Sequence, residues 1–181
     1  MDDPHRVCLI SPLPPPVGGI AHWTTLLLAW AERSPRLHLT HIDITPRWRS
    51  FDDMARIKRV VGGGLQLIRD SFRFTKLLMT HRFDAVHLTT SVGLGAVRDI
   101  CILTIARVFR VPVFYHLHSG RVPQTADKNN LIWKLLARAM SMADTVIALD
   151  QATCSVLEQR LPRVRVRLIP NCIDVTDLPE N

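Results

Sequence analysis

The residues best placed for chemistry in this 181-residue sequence stand just beyond short apolar runs. Gly18-Gly19 follows the run Arg6-Val7-Cys8-Leu9-Ile10-Ser11 and a stiff turn, Pro12-Leu13-Pro14-Pro15-Pro16-Val17, and opens a helical stretch. The first amides of a helix lack intrahelical partners and carry the positive end of its dipole. Glycine lets a ligand come close to the backbone, so the turn suits a phosphate or another anion; a plain strand-to-helix turn is the alternative. Thr89-Thr90-Ser91 ends a second apolar run, and His116-Leu117-His118-Ser119-Gly120 ends a third. His118 stands at the exit, where it can hydrogen-bond a sugar hydroxyl or phosphate, or move a proton. His116, on the same strand face, reads as a packed histidine.

Other chemistries find no motif. There is no GxGxxG, and no Gly-Lys-Ser/Thr follows the turn, so NAD and ATP loops are poorly supported. GxSxG and a carboxylate pair suited to glycoside hydrolysis are also missing. Cys8, Cys101, Cys154 and Cys172 form no CxxC pair, which suggests free thiols in a reducing cytosol rather than a zinc site or disulfide framework. His38, His41 and Asp43 alternate with apolar residues and read as polar positions near a sheet edge rather than a metal site. No metal or cofactor is expected. The acidic Met1-Asp2-Asp3-Pro4 start does not resemble a signal peptide, and no apolar run approaches membrane-spanning length.

The elements that must position these residues follow from periodicity. Continuous apolar strands are expected at 6–11, 37–44, 84–90, 111–118, 145–149 and 164–169. Helices are expected at 20–33, from Ser50 to about Met79, and at 93–109, 130–142 and 151–161. Strands alternating with helices predict an α/β, Rossmann-like parallel sheet with helices on both faces, binding its ligand beyond the carboxyl ends of the strands. In the first helix Ile20, Trp23, Leu27 and Trp30 form an expected buried stripe. In the second, Ser50 is the expected cap with Asp52 and Asp53 in the first turn; Met54, Ile57, Val61, Leu65, Ile68, Phe72 and Met79 repeat at helical spacing. Gly62-Gly63-Gly64 marks a kink or a break.

Net charge is +7, and residues 47–82 hold nine basic against three acidic residues, so nearly all the excess is one patch. It predicts an acidic partner. A solvated helix face is the default. Nucleic acid fits the charge but lacks a recognition motif. An anionic membrane surface fits best, because Arg56, Lys58, Arg59, Arg69, Arg73 and Lys76 accompany Trp48, Phe51, Phe72 and Phe74.

Five segments in order resemble the retaining, family-4 glycosyltransferases of the GT-B fold. They are Pro14–His22, Phe83–Thr90 ("D-hydrophobic-hydrophobic-H"), Val111–Ser119, Ala143–Leu149 ("AD-x-vi-a-l") and Ile169–Asp174 ("iPNGiD"). The resemblance implies the N-terminal, acceptor-side domain over residues 1–175, with 176–181 starting a linker. It implies transfer of a sugar from a nucleotide-sugar to a lipid-linked or polysaccharide acceptor, with His118 catalytic. Gly18, Gly19, His22, Thr90, Ser119 and Gly120 would bind donor or acceptor. A cytoplasmic protein, peripheral on the inner membrane face, would agree with the basic segment. Cys172 replaces a usual glycine, and Asp150 a common serine. The family's second domain supplies most of the donor site, and the sequence stops at Asn181. The chain alone is therefore expected to be inactive or nearly so, working with a separate donor-domain polypeptide or representing a truncated gene or a fragment. The rivals are a non-catalytic membrane- or partner-binding module with the same fold and, further off, another Rossmann-like enzyme such as an epimerase.

Overall fold

In a computed structural model the described residues are 3–15, 17–45 and 56–171, with backbone only for 56–61. The elements run β1 (His5–Ser11), α1 (Gly19–Glu32), β2 (Leu37–Asp43), α2 (Arg56–Thr80), β3 (Ala85–Thr90), α3 (Gly95–Val108), β4 (Val113–Leu117), α4 (Val122–Lys128), α5 (Leu131–Met142), β5 (Thr145–Ala148), α6 (Gln151–Arg160) and β6 (Val166–Leu168). The six strands pair in parallel in the order β2-β1-β3-β4-β5-β6. Of the expected elements only the short α4 was not foreseen. The Ser50 cap, Asp52, Asp53, Met54, Trp48, Phe51 and residues 172–181 lie outside the described residues.

Two aspartates set the register. Asp84, just before β3, accepts from the Arg6 amide (2.7 Å) while its own amide donates to the Arg6 carbonyl (2.8 Å). Asp144, just before β5, does the same to Val113 of β4, at 2.8 and 3.1 Å. Each carboxylate thus finishes a parallel ladder at its open end, where a strand amide would otherwise lack a partner. The helices use the same chemistry: Asp150 caps α6 by accepting from the Thr153 amide (2.7 Å), and Asn130 caps α5 through Trp133 (3.2 Å). At position 150 an aspartate therefore does the capping that a serine can do.

Alternate strand residues form two faces of unequal cover. One face presents Cys8, Ile10, Ile42, Val86, Leu88, Tyr115, Leu117 and Val146, all in a single buried core with Phe74 of α2, Ile102 of α3, Val122 of α4, Leu136 of α5 and Leu157 of α6. Among the described helices α1 alone lies on the other face. Right-handed crossovers require this: only the β1-to-β2 step moves toward the β2 edge, so only its helix lands on the second side. Helices do lie on both faces, one against five.

Two expectations about helix faces change. In α1 the buried residues are Ala21, Thr24 and Ala31, while Trp30 is 58% exposed. Small residues let α1 lie close on β1 and β2, and Trp30 projects past them. α2 is unbroken through Gly62-Gly63-Gly64. Its core side is Asp70, Phe74 and Leu78, and the regular stripe Leu65, Ile68, Phe72 and Met79 faces solvent at 64–73% exposure. Phe74→Ala should therefore cost about 3–5 kcal/mol, and Phe72→Ala no more than about 0.5 kcal/mol. Equal urea midpoints for the two variants would reverse this assignment of the helix faces.

Candidate active-site cleft

The proline turn is held in place from below. The Leu13 amide donates to Thr45 Oγ1 (2.8 Å), and Thr45 Oγ1 lies 2.8 Å from the Leu13 carbonyl and 2.5 Å from Asp43 Oδ1, both acceptors for its single proton. Gly18 then caps α1 without a side-chain hydrogen bond, and the first turn carries no acidic residue. A Cβ built on Gly18 or Gly19 meets nothing within 4 Å, and both residues are exposed. The chain's own packing does not demand glycine here. What glycine leaves is bare, dipole-charged amides facing open space.

Behind the turn a line of buried hydroxyls ties three elements together. Thr89 Oγ1 donates to Ser11 Oγ (2.9 Å), Ser11 meets Thr24 Oγ1 in a short hydrogen bond, and Thr24 Oγ1 donates to the Ile20 carbonyl (2.8 Å). β3, β1 and the start of α1 are thereby joined at the point where the strand order reverses, between β1 and β3. In open parallel sheets that is where ligands bind.

Trp23, one turn into α1, sits on three histidines. Its ring centroid lies 5.4 Å from that of His87, 5.1 Å from His116 and 4.8 Å from His118. His87 Nε2 and His116 Nδ1 are 3.1 Å apart with centroids at 5.3 Å. An in-plane bond between imidazoles keeps centroids about 5–5.5 Å apart, so this contact fits one. His118 Nε2 is 3.2 Å from the same His116 nitrogen, but the centroids are only 4.0 Å apart. The two rings are inclined at 44°, and ring nitrogens of both His87 and His118 approach the one His116 Nδ1. His116 is 3% exposed and its Nε2 has no partner among the described residues. Burial, with the neighbouring His118 and His87, holds His116 down to about 2 from an ordinary 6.5; burial holds His118, and burial with His118 holds His87, down to about 4. At neutral pH all three are uncharged rings able to donate and accept.

Thr90 belongs to the other face. Its hydroxyl donates to Asp99 Oδ2 (2.5 Å), which also accepts from Tyr115 OH (2.8 Å), while Arg98 pairs with Asp99 Oδ1 (2.7 Å). Burial, then the Asp99 carboxylate, pushes the Tyr115 phenol well above its usual range. Only the Thr90 carbonyl reaches the cleft side, accepting from the His118 amide (2.8 Å). Ser119 Oγ accepts from the Arg121 amide (3.2 Å); Gly120 and His22 are exposed. Gly18 and Gly19 at the start of α1 and His118 against Trp23 thus follow the carboxyl ends of β1 and β4, while Thr90's side chain turns into the core. Sequence reasoning gave Ser11 and Thr24 no role, named Thr89 only as part of a strand exit, and took Trp23 only as one of a buried stripe. The signal for the first three was a hydroxyl at each apolar run's end or on an apolar helix face.

On the face below α1, Trp23 and His87 line an apolar trough of about 380 Å³, together with Leu9, Leu27, Phe114 and Ile147 and with Arg167. His41, on β2, contacts the Ser11 carbonyl through Nε2 (2.9 Å), and Asp43 accepts from the Thr45 amide (2.9 Å). His38 alternates to the opposite face, so the three do not converge. Among the described residues no group of three His, Cys, Asp or Glu side chains is arranged for a metal.

A family model for Glycosyltransferase Family 4 matches residues 5–177. The chain belongs to glycosyltransferase family 4. Among curated proteins none matches the sequence significantly. The fold is similar to that of Phytolacca americana UGT2 complexed with UDP-2fluoro-glucose and pterostilbene: TM-score 0.55, 10% identity, covering 98% of this chain and 56% of that one. It is also similar to Anabaena Alr3699/HepE in complex with UDP, with TM-score 0.50 and 15% identity over 95% and 45%. The chain therefore spans about half the length of the solved structures it matches, and it has the Rossmann-like architecture of GT-B glycosyltransferases.

The neutral histidines make the family-4 domain acid-sensitive in a defined window. Their folded-state values lie below 6.5, so between about 4 and 6.5 the unfolded chain takes up protons that the folded chain refuses. Stability is full above that window and is lost as pH falls through it. Urea midpoints measured from pH 7.5 to 4.5 should drop, and more gently for His118→Gln; parallel curves for wild type and variant would contradict the assignment.

Proposed function

We propose that this domain is the acceptor-side half of a retaining glycosyltransferase, moving a sugar from a nucleotide-sugar to a lipid-linked or polysaccharide acceptor. The observation that carries it is the pairing of bare Gly18 and Gly19 amides with His118 at the β1/β3 reversal. The amides suit the donor diphosphate, whose negative charge builds as the sugar leaves. His118, neutral and partly buried, suits a hydrogen bond to the sugar or its acceptor, or a proton transfer. The exposed His22 and Gly120, and Ser119 beside them, lie at the same end of the sheet and would complete the binding contacts. UDP-2fluoro-glucose in the complex of one similar fold and UDP in that of the other support a nucleotide-sugar donor.

The half-length match supports a second, donor-binding part, on the same chain or on a separate polypeptide, without which turnover is slight. The station proposed for it is the cytoplasmic face of a membrane, as a peripheral protein making cell-envelope glycan. No helix among the described residues is long and apolar enough to cross a membrane. The alternative, a non-catalytic binding module, is favoured by one observation: the solvent-facing apolar stripe of α2.

Labelled UDP- and GDP-sugars offered to the 181-residue chain should give no turnover, and adding a donor-half polypeptide should restore it. In the restored enzyme His118→Ala should lower kcat/KM by roughly 10²–10⁴, and the product anomer read by NMR should match the donor's. Full activity of the alanine variant would remove His118 from the chemistry, and absence of UDP or GDP binding by calorimetry with any partner would favour the module.

A further inference from the structure

The outward side of α2 is unlike the surface helix of an ordinary domain. Leu65, Ile68, Phe72 and Met79 are 64%, 66%, 72% and 73% exposed. At 3.6 residues per turn these four fall within about 60° of arc, and Phe74 and Leu78 point roughly the opposite way. Arg69, Arg73 and Lys76, all exposed, lie along one edge of the stripe. Arg56, Lys58 and Arg59 continue the basic series toward the helix start, and the sole acid of α2, Asp70, is buried at 1% exposure. A helix that buries one apolar side in its own core and shows a second to solvent has a partner for the second. Three exposed bases beside the stripe, with the one acid of α2 buried, make the partner anionic.

We propose that this face of α2 is a docking surface for an anionic lipid bilayer, with Leu65, Ile68, Phe72 and Met79 entering the headgroup–acyl boundary and Arg69, Arg73 and Lys76 on lipid phosphates. It rests on the peripheral-membrane part of the function proposed above and adds the surface and the orientation. A flat interface suits a straight stripe at least four turns long. A protein groove would instead need walls around a helix that here stands proud. Gln66 Nε2 donates to the Ile44 and Thr45 carbonyls, 3.1 Å each, which fixes the middle of α2 at the carboxyl end of the sheet. Docking therefore sets the cleft beside the headgroups, where an acceptor with its chain in the bilayer offers its polar end.

The test is co-sedimentation of the full chain with phosphatidylcholine vesicles, with and without 30% phosphatidylglycerol (about that fraction gives a cell-like surface potential). Wild type should bind the anionic vesicles and release at high salt. Ile68→Ser with Phe72→Ser should lower the partition coefficient by an order of magnitude or more. Arg69→Gln and Arg73→Gln should each lower it about five-fold, on anionic vesicles only. Val108→Ser and Leu131→Ser, at apolar positions 74% and 66% exposed elsewhere, should leave it unchanged. Circular dichroism melts confirm that each variant is folded, since the altered side chains touch no core. Wild-type binding that survives the α2 changes would overturn this surface while leaving membrane association standing. A wild type that ignores both vesicle types would overturn both, and UDP calorimetry, run separately, reports on the sugar-transfer reading in either case.

Discussion

The hand of the crossover connections governs this molecule. Parallel strands joined through helices turn right-handed because a twisted strand feeds its helix back onto the sheet only that way. With the order β2-β1-β3-β4-β5-β6, one step goes left and the rest go right. One helix therefore occupies one face and five occupy the other. The reversal opens a crevice between β1 and β3, and the chain places its Gly18-Gly19 turn and the Thr89–Ser11–Thr24 hydroxyl line there. α1, alone on its side, brings Trp23 onto the three histidines.

Much of this could be read from the sequence, for physical reasons. Strands of a covered parallel sheet are rich in apolar residues, so all six could be placed, although His, Thr or Arg interrupts the runs of β2, β3, β4 and β6. Asp84 and Asp144 entered only as parts of the segments that resemble family 4, and the structure shows what they do: each closes a ladder by accepting a strand amide. Gly18, Gly19 and His118 were chosen because strand ends collect chemistry, and the structure places them just past the ends of β1 and β4. The packing of His116 was legible from its place inside a strand.

The rest was hidden by choices that periodicity cannot make. α2 has two stripes of similar spacing. The more regular one, Leu65 to Met79, reads as core, yet the side with a buried carboxylate at Asp70 and only Phe74 and Leu78 as large anchors is the one packed inside. Burial lifts the Asp70 carboxyl above its usual range, with Arg98 nearby working against that. Which stripe turns inward depends on where β2 ends and where Gln66 catches it, and that is tertiary information. Thr90 and Thr89 are adjacent in sequence and opposite in space. A one-residue step in a strand separates the crevice from the core, so choosing Thr90 by motif placed its hydroxyl on Asp99 instead.

The one-sided core also divides the sheet into positions of unequal freedom. Tyr115 and Val146 are wholly buried among five helices, where any change of volume is felt. Phe114 is 39% exposed and Arg167 lines an open trough, so new side chains there displace water rather than neighbours. Positions 114 and 167 can drift without disturbing their neighbours in sequence, whereas His116 and Ile147 on the same face are buried. A chain built this way keeps its shape while much of its spelling changes, as in the match of 98% of its length to a fold with which it shares 10% identity.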